Sequence, residues 1–276
     1  MSGLERSATT WTRIWSPGLP ATRAAAFLLT LSAVCLAGVA ELLAIFATPI
    51  AGAIAYGSLA CGLGAYSALT AVAAGAGQHL RRLSLALLAV TVLRVISLAL
   101  PVESLAPVIW LAVAGLAGLV AAAALFRTAG STLHEVGLRW PASWLDPALV
   151  PLGLALGYAG HLYVEPTPLV GDVDPIRIVG YGVVLIVCSA LVEELLFRGF
   201  LQPSLTALFG WAGVLWTACL FALVYAGSQS PVGVLLALVA GLLFGFARFH
   251  AGSLWGPFGA HATMTVSMLV IFPALS

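Results

Sequence analysis

Charge is what this sequence most lacks. Only 8% of its 276 residues are Asp, Glu, Lys or Arg, against about a quarter in soluble domains. Lysine is absent, so all eleven basic residues are Arg. A formal net charge of +1 leaves no basic footprint for a nucleic-acid partner. Cysteine is also sparse: Cys35, Cys61, Cys188 and Cys219 all fall inside apolar runs, with no CxxC spacing and no grouping with His. Such cysteines are small hydrophobes, which excludes a disulfide framework or a cysteine zinc site. No polar segment is long enough to form a soluble domain, and no internal repeat or low-complexity tract stands out beyond an Ala/Gly/Leu bias.

What is present is apolar surface. The hydrophobic share is 62%, and the mean hydropathy is +1.10. These values describe a polytopic membrane protein, an all-α bundle held in lipid. A span needs about 20 apolar residues. Candidates are 24–47, 51–77, 83–100, 105–126, 146–164, 176–197, 211–227, 231–249 and 253–273, which predicts eight or nine transmembrane helices. The first run follows Arg6, Arg13 and Arg23 and exceeds a signal-peptide core, so it reads as a span; a cleaved signal peptide is the alternative.

Arginines cluster on alternate connections. With the N-terminus in the cytoplasm, Arg81, Arg82, Arg127, Arg139, Arg198 and Arg248 fall inside. Glu103, Glu165, Asp172 and Asp174 fall outside, with Arg177 as the lone basic residue there. The positive-inside rule therefore predicts a cytoplasmic N-terminus and an external C-terminus, in what is expected to be a bacterial cytoplasmic membrane. The longest internal connection, 127–145, contains Thr132 to Pro141 and reads as a short interfacial helix ended by Gly137, with Trp140 at headgroup depth. It divides the chain into 1–126, a tail and about four spans, and 127–276, the interfacial segment and the remaining spans.

The chemistry concentrates in Glu193, Glu194 and Arg198. A charge in lipid costs roughly 2.5–3.5 kcal/mol per group on insertion scales, and three occur here within six residues. Glu194 and Arg198 stand at i,i+4 in the favourable acid-before-base order. Glu193 points about 100° away, free to face a cavity, where a low dielectric suits a general base. The plain structural alternative is an ion-pair cluster near the cytoplasmic boundary.

Three further polar residues accompany them. Glu193 lies 17 residues before Gly210 and Tyr225 lies 15 after it, so a hairpin at Gly210 sets the two at similar depth. His261 lies about nine residues into the last span, roughly 13 Å deep at 1.5 Å per residue. It is a functional candidate by position, with a helix–helix hydrogen bond as the alternative. Thr265 is one turn further on, where a bond to its own backbone at i−4 is the ordinary role. Glu41 and Arg94 read as a structural pair across helices. His134 reads as a solvated residue, and His161 and His250 as lying away from the site. Glu193 and His261 alone are two ligands, short of the three a catalytic zinc requires, so no metal or cofactor is expected.

The stretch Glu193-Glu194-Leu195-Leu196-Phe197-Arg198-Gly199 resembles the EExxxR motif of the CPBP family, the CAAX proteases and bacteriocin-processing enzymes also called the Abi family. Phe221-Ala222-Leu223-Val224-Tyr225 falls where that family has FxxxH. Ser253-Leu254-Trp255-Gly256-Pro257, leading to His261, resembles its last motif, which ends HxxxN or HxxxD. The segment from Leu133 to Pro141 resembles the usual lead-in, so the resemblance covers roughly 130–273. It implies peptide hydrolysis in the membrane, with Glu193 activating water, Glu194 and Arg198 as an orienting pair, and His261 as an oxyanion donor. Two positions depart: Tyr225 stands for the His and Thr265 for the Asn or Asp. Tyrosine, with a reference pKa near 10, does not take a proton at neutral pH. The implied partners are membrane lipid and a membrane-anchored peptide or protein. The first rival is a pseudo-protease that binds or protects a membrane partner. A small transporter is the second, but it would call for matched broken helices in two halves.

Overall fold

In a computed structural model, described over residues 20–71, 76–100, 104–139, 144–169, 174–228 and 230–275, every regular element is a helix. Arg6, Arg13, Glu103, Trp140, Pro141 and Asp172 lie outside the described residues. The helices are α1 (Pro20–Phe46), α2 (Pro49–Leu69), α3 (Ala76–Ala99), α4 (Pro107–Thr128), the one-turn α5 (Leu133–Val136) and α6 (Leu145–Val164). After these come α7 (Pro175–Phe209), α8 (Ala212–Val224), α9 (Pro231–Ala251) and α10 (Trp255–Leu275). Among the described residues, eight are long and apolar enough to cross a membrane, and α8 with its following turn is a shorter apolar helix. The protein is thus an all-α polytopic bundle.

Local chemistry sets the ends. Pro49, Pro175 and Pro231 each open a helix, where their missing N–H costs nothing. Thr48, Asp174 and Ser230 precede them and accept from the N–H of Ala51, Ile176 and Gly233. Gly252 closes α9 in a left-handed conformation (φ +67°) that favours glycine. The turn expected near Gly210 is present, also at positive φ.

Two expectations about boundaries are corrected. α3 begins at Ala76 rather than 83, so Arg81 and Arg82 lie on its first turns. α7 does not stop at 197 but runs 35 residues to Phe209. It continues because Leu201, Leu205 and Leu208 extend its buried stripe, the last two four and seven residues after the first. The Glu193–Arg198 cluster therefore sits mid-helix, not at a helix end. α10 starts at Trp255, which places His261 six residues in, about 9 Å along the helix.

Small residues let the helices that carry the site approach closely. On α6, a Cβ at Gly153 would overlap the Ala260 carbonyl, one at Gly157 the Ser267 hydroxyl, and one at Gly160 the Met268 sulfur. This ladder seats α10 against α6 and fixes the depth of His261. On α4, a Cβ at Gly115 would overlap the backbone of Cys188 on α7. Close backbone approach of this kind is how membrane helices associate without a hydrophobic driving force. The main buried cluster joins Ala33 of α1, Leu83 of α3, Leu196 and Phe197 of α7, and Phe221 of α8.

The α5 segment closes one end. Thr132 and Glu135 form a reciprocal capping box, and Gly137 ends the turn at φ +88°. Leu254 N–H donates to the Gly137 carbonyl at 2.9 Å, Arg248 Nη2 to the Glu135 carbonyl at 2.8 Å, and Arg139 to the Ala251 carbonyl. Arg82 reaches Glu135 at 3.4 Å. The Thr132 N–H first, and then Arg82, hold the Glu135 carboxyl below its ordinary pKa. Its share of stability is present above the ordinary carboxylate range and is lost as pH falls through the lowered value.

Glu41 and Arg94 do pair across α1 and α3. Arg94 Nη2 donates to Glu41 Oε2 at 2.7 Å, Arg94 Nη1 donates to Ser97 Oγ at 3.1 Å, and Tyr56 O–H donates to Glu41 Oε1 at 2.8 Å. Glu41 is 1% exposed, so removing its partner strands a buried charge, at a cost of about 3–5 kcal/mol. Arg94→Met is expected to lower the unfolding midpoint in lipid nanodiscs, and the double variant with Glu41→Gln to recover most of the loss. An unchanged midpoint for Arg94→Met would contradict a structural role for the pair.

Candidate active site

Glu193 and Glu194 lie in a short α-helical piece of α7, Val192–Glu194, flanked by two π-helical turns, Leu185–Leu191 and Leu195–Leu201. π turns widen a helix and reset the register of the residues beyond them, and they recur at functional positions. Here they bring both carboxylates to one imidazole. His261 Nδ1 lies 2.9 Å from Glu194 Oε1, and His261 Nε2 lies 3.9 Å from Glu193 Oε2. The expected division holds, with Arg198 on Glu194 and Glu193 facing the cavity, and the shared imidazole is added to it.

Glu194 is fully buried and takes two partners on one oxygen. Arg198 Nη1 stands 3.0 Å from Oε1, the same atom that meets His261. Arg198 is also 0% exposed, and its guanidinium lies over the Phe221 ring with Cζ 4.1 Å from the centroid. Its nitrogens have no aligned hydrogen-bond acceptor, and neither does Glu194 Oε2 have a donor. The contact is therefore one of charge and ring stacking rather than a directed fork. A cation over an aromatic face away from water gains about 2 kcal/mol or more, which helps offset burial. An ionised Glu194 can only accept, and Nδ1 of His261 is then the donor. In the neutral imidazole the lone pair then sits on Nε2, facing Glu193.

Glu193 is the accessible member. Its side chain is 19% exposed, against 4% for His261 and none for Glu194. Tyr225 O–H donates to its Oε2 at 2.8 Å, and Ser189 O–H donates to its Oε1 at 3.1 Å. Tyr225 stands where α8 ends and a 3₁₀ turn begins, Tyr225–Ser228. The hairpin at Gly210 has matched its depth to that of Glu193.

These side chains form one end of a cavity of about 780 Å³, with Ser189, Glu193, Phe221, Tyr225 and His261 in its wall. Thr265 lines it too, but its hydroxyl donates to the His261 carbonyl at 2.9 Å, the ordinary i−4 bond within a helix. Five of the six candidates thus meet at one point, and Thr265 shares the cavity without facing the carboxylates in this rotamer.

Sequence reasoning passed over Ser189 and Phe244, and took Phe221 only as the first residue of the FxxxH-like stretch. Phe221 carries Arg198 on its face and meets His261 edge-on at 5.8 Å. Phe244 lies 6.1 Å from the imidazole. The i−4 spacing of Ser189 from Glu193 was a readable signal; the two rings look like any other apolar residues of a span. His161 packs on Phe272, and His250 on Phe246 and Phe249. Among the described residues, no three His, Cys, Asp or Glu side chains stand together as a metal site would need.

Gly199 closes the motif for a steric reason. A Cβ there would stand 3.0 Å from Val136 Cγ1 of α5. The interfacial turn is thereby pressed onto α7 one residue after Arg198, just beneath the carboxylates.

The chain finds no match among curated proteins and none among solved structures. Residues 175–267 match the family described as type II CAAX prenyl endopeptidase Rce1-like. The match is shorter than the 130–273 of the motif resemblance but falls on the same core. It begins with the first helical residue of α7 and ends in the middle of α10, so it holds both carboxylates, Tyr225 and the imidazole. The matched segment supplies all six candidate residues, and the family it is similar to is of the CAAX-protease type that the Glu193–Arg198 motif resembles.

Proposed function

We propose that the protein is an intramembrane endopeptidase that hydrolyses a peptide bond in a membrane-presented polypeptide, with Glu193 as the base that activates water. The observation that carries this reading is the convergence of Glu193, Tyr225 and the Nε2 of His261 on the wall of a cavity large enough for an extended peptide segment.

The chemistry follows from the donor pattern. A water beside Glu193 and Nε2 loses its proton to the Glu193 carboxylate as its oxygen bonds to the carbonyl carbon. Once protonated, Glu193 is a weaker acceptor, and the Tyr225 O–H is released to the carbonyl oxygen, where negative charge gathers. Tyr225 thus serves as an oxyanion donor, a role open to a group that cannot act as a base near neutrality. Collapse of the tetrahedral intermediate breaks the C–N bond. Glu193 returns its proton to the leaving amine. Throughout, Glu194 orients His261, and Arg198 stands against Glu194.

A second reading has one observation of its own. The hydroxyls of Tyr225 and Thr265 are both engaged within the protein, as in a pseudo-protease that holds a membrane partner without cutting it.

Cleavage of a library of membrane-anchored peptides by the protein in nanodiscs separates the two. Glu193→Ala is expected to reduce turnover by about 100- to 10,000-fold, the usual range for a general base. Turnover unaffected by that change would rule out the glutamate mechanism, and binding without any cleavage would select the pseudo-protease. Tyr225→Phe tests the donor role: a drop in kcat of about 100- to 1,000-fold with little change in KM is expected for a lost oxyanion donor. Tyr225→His restores the side chain of the related motif and is expected to retain or raise activity.

A further inference from the structure

The cavity has a direction, and the arginines give that direction a side. Along the bundle, the start of α1, the end of α2 and the start of α3 share one end, because α1, α2 and α3 run back and forth in sequence. The end of α4, the α5 turn, the end of α9 and the start of α10 join them through the contacts of Arg82, Arg139 and Arg248 with the segments 133–139 and 251–254. Arg23, Arg81, Arg82, Arg127, Arg139 and Arg248 all belong to this end. At the opposite end stand Arg177, 3.4 Å from Asp174, and, within the span five residues before the end of α3, Arg94, which is paired with Glu41. Glu165 and Asp174 lie there as well.

Glu193 and His261 stand near the arginine-rich end. Gly199, six residues beyond Glu193, is already in contact with the interfacial turn, a rise of about 9 Å. The cavity runs the other way. Its far walls are Ile45 and Pro49 between α1 and α2, Leu98 near the end of α3, Trp110 near the start of α4, and Glu165 and Thr167 after α6. Among the described residues, none of its lining comes from 127–146, 199–212 or 248–256, the connections of the arginine-rich end. That end is shut by the clasp of α5 on the α9–α10 turn.

Arginine-rich connections mark the cytoplasmic side. We infer that the cavity is reached from the extracytoplasmic face, and that its occupant is an apolar, extended polypeptide segment lying at or anchored in the outer leaflet. The apolar mouth, with Ile45, Pro49, Leu98 and Trp110, suits such a segment, and the acidic groups at that end disfavour an anionic headgroup as the occupant. The substrate class rests on the proposed peptidase reading; the side of access does not.

Thiol accessibility tests it. In a variant with Cys35, Cys61, Cys188 and Cys219 replaced by Ala, a single cysteine is introduced as Thr167→Cys at the mouth or His134→Cys on the interfacial turn, both exposed positions. A membrane-impermeant maleimide is then applied to intact spheroplasts and to inverted vesicles. Thr167→Cys is expected to be labelled in spheroplasts and protected in inverted vesicles, with the opposite pattern for His134→Cys. Labelling of Thr167→Cys only in inverted vesicles, or of both positions from the same side, overturns the inference. A parallel arm leaves Cys188, which lines the cavity, as the sole cysteine. A small cationic methanethiosulfonate is expected to modify it from the outside only, and modification from the inside only overturns the route. Expected labelling without cleavage of any outer-leaflet peptide would sink the peptidase reading and leave the direction of access standing.

Discussion

The site depends on one buried oxygen. Glu194 Oε1 receives both the guanidinium of Arg198 and the Nδ1 of His261, at 3.0 and 2.9 Å. Both groups are fully buried, so an isolated carboxylate here would be prohibitively costly, and an isolated arginine equally so. Each removes the other's penalty, and the imidazole is oriented as a result. Phe221 completes the arrangement from below the guanidinium, so an apolar side chain from α8 takes part in the charge balance. Truncation of any one of these groups leaves an uncompensated partner. Such a cluster is therefore held together by what its loss would cost more than by net attraction.

That arrangement separates two tasks which adjacent glutamates could otherwise share. Glu194 is sealed and supports; Glu193 is accessible and bears the tyrosine, the serine and the cavity. The separation arises from the π turns on both sides of Val192–Glu194. They keep neighbouring carboxylates on opposite nitrogens of a single ring, where a regular helix would splay them. The glycine ladder of α6 holds that ring at the required depth, since Gly153, Gly157 and Gly160 allow α10 to approach to backbone contact. Packing of small residues and placement of the His261 imidazole are in this protein the same structural fact.

The bundle is also polar along its length in a way the site exploits. At one end, α5 and the α9–α10 turn are clasped by arginines that direct their donors to backbone carbonyls. The other end opens into the cavity between α1, α3, α4 and the chain after α6. The cavity that the site lines runs toward Ile45, Leu98, Trp110 and Thr167, away from that clasp. Arg94 stands in the wall of that cavity, with its partner Glu41 outside the lining, and the pair is satisfied internally. It shapes the passage while adding no net charge to it.

Much of this was legible in the residues. Composition determined a membrane protein, and apolar runs of about 20 residues determined helices over barrel strands. The i,i+4 spacing determined the Glu194–Arg198 contact, and similar distances from Gly210, 17 and 15 residues, set Tyr225 at the depth of Glu193. The Thr265 hydroxyl followed its local rule and bonded its own helix. What failed was whatever required knowing a helix's length or winding. α7 continues past Arg198 because Leu201, Leu205 and Leu208 find a buried surface, and that surface belongs to other helices. The sharing of His261 by two adjacent glutamates depends on π turns, which have no periodic signature. The role of Phe221 and the direction of the cavity were likewise decided by tertiary structure, since a phenylalanine in a span says only that it is apolar. Which charge it faces, and which end of a passage is open, are properties of neighbours distant in the chain.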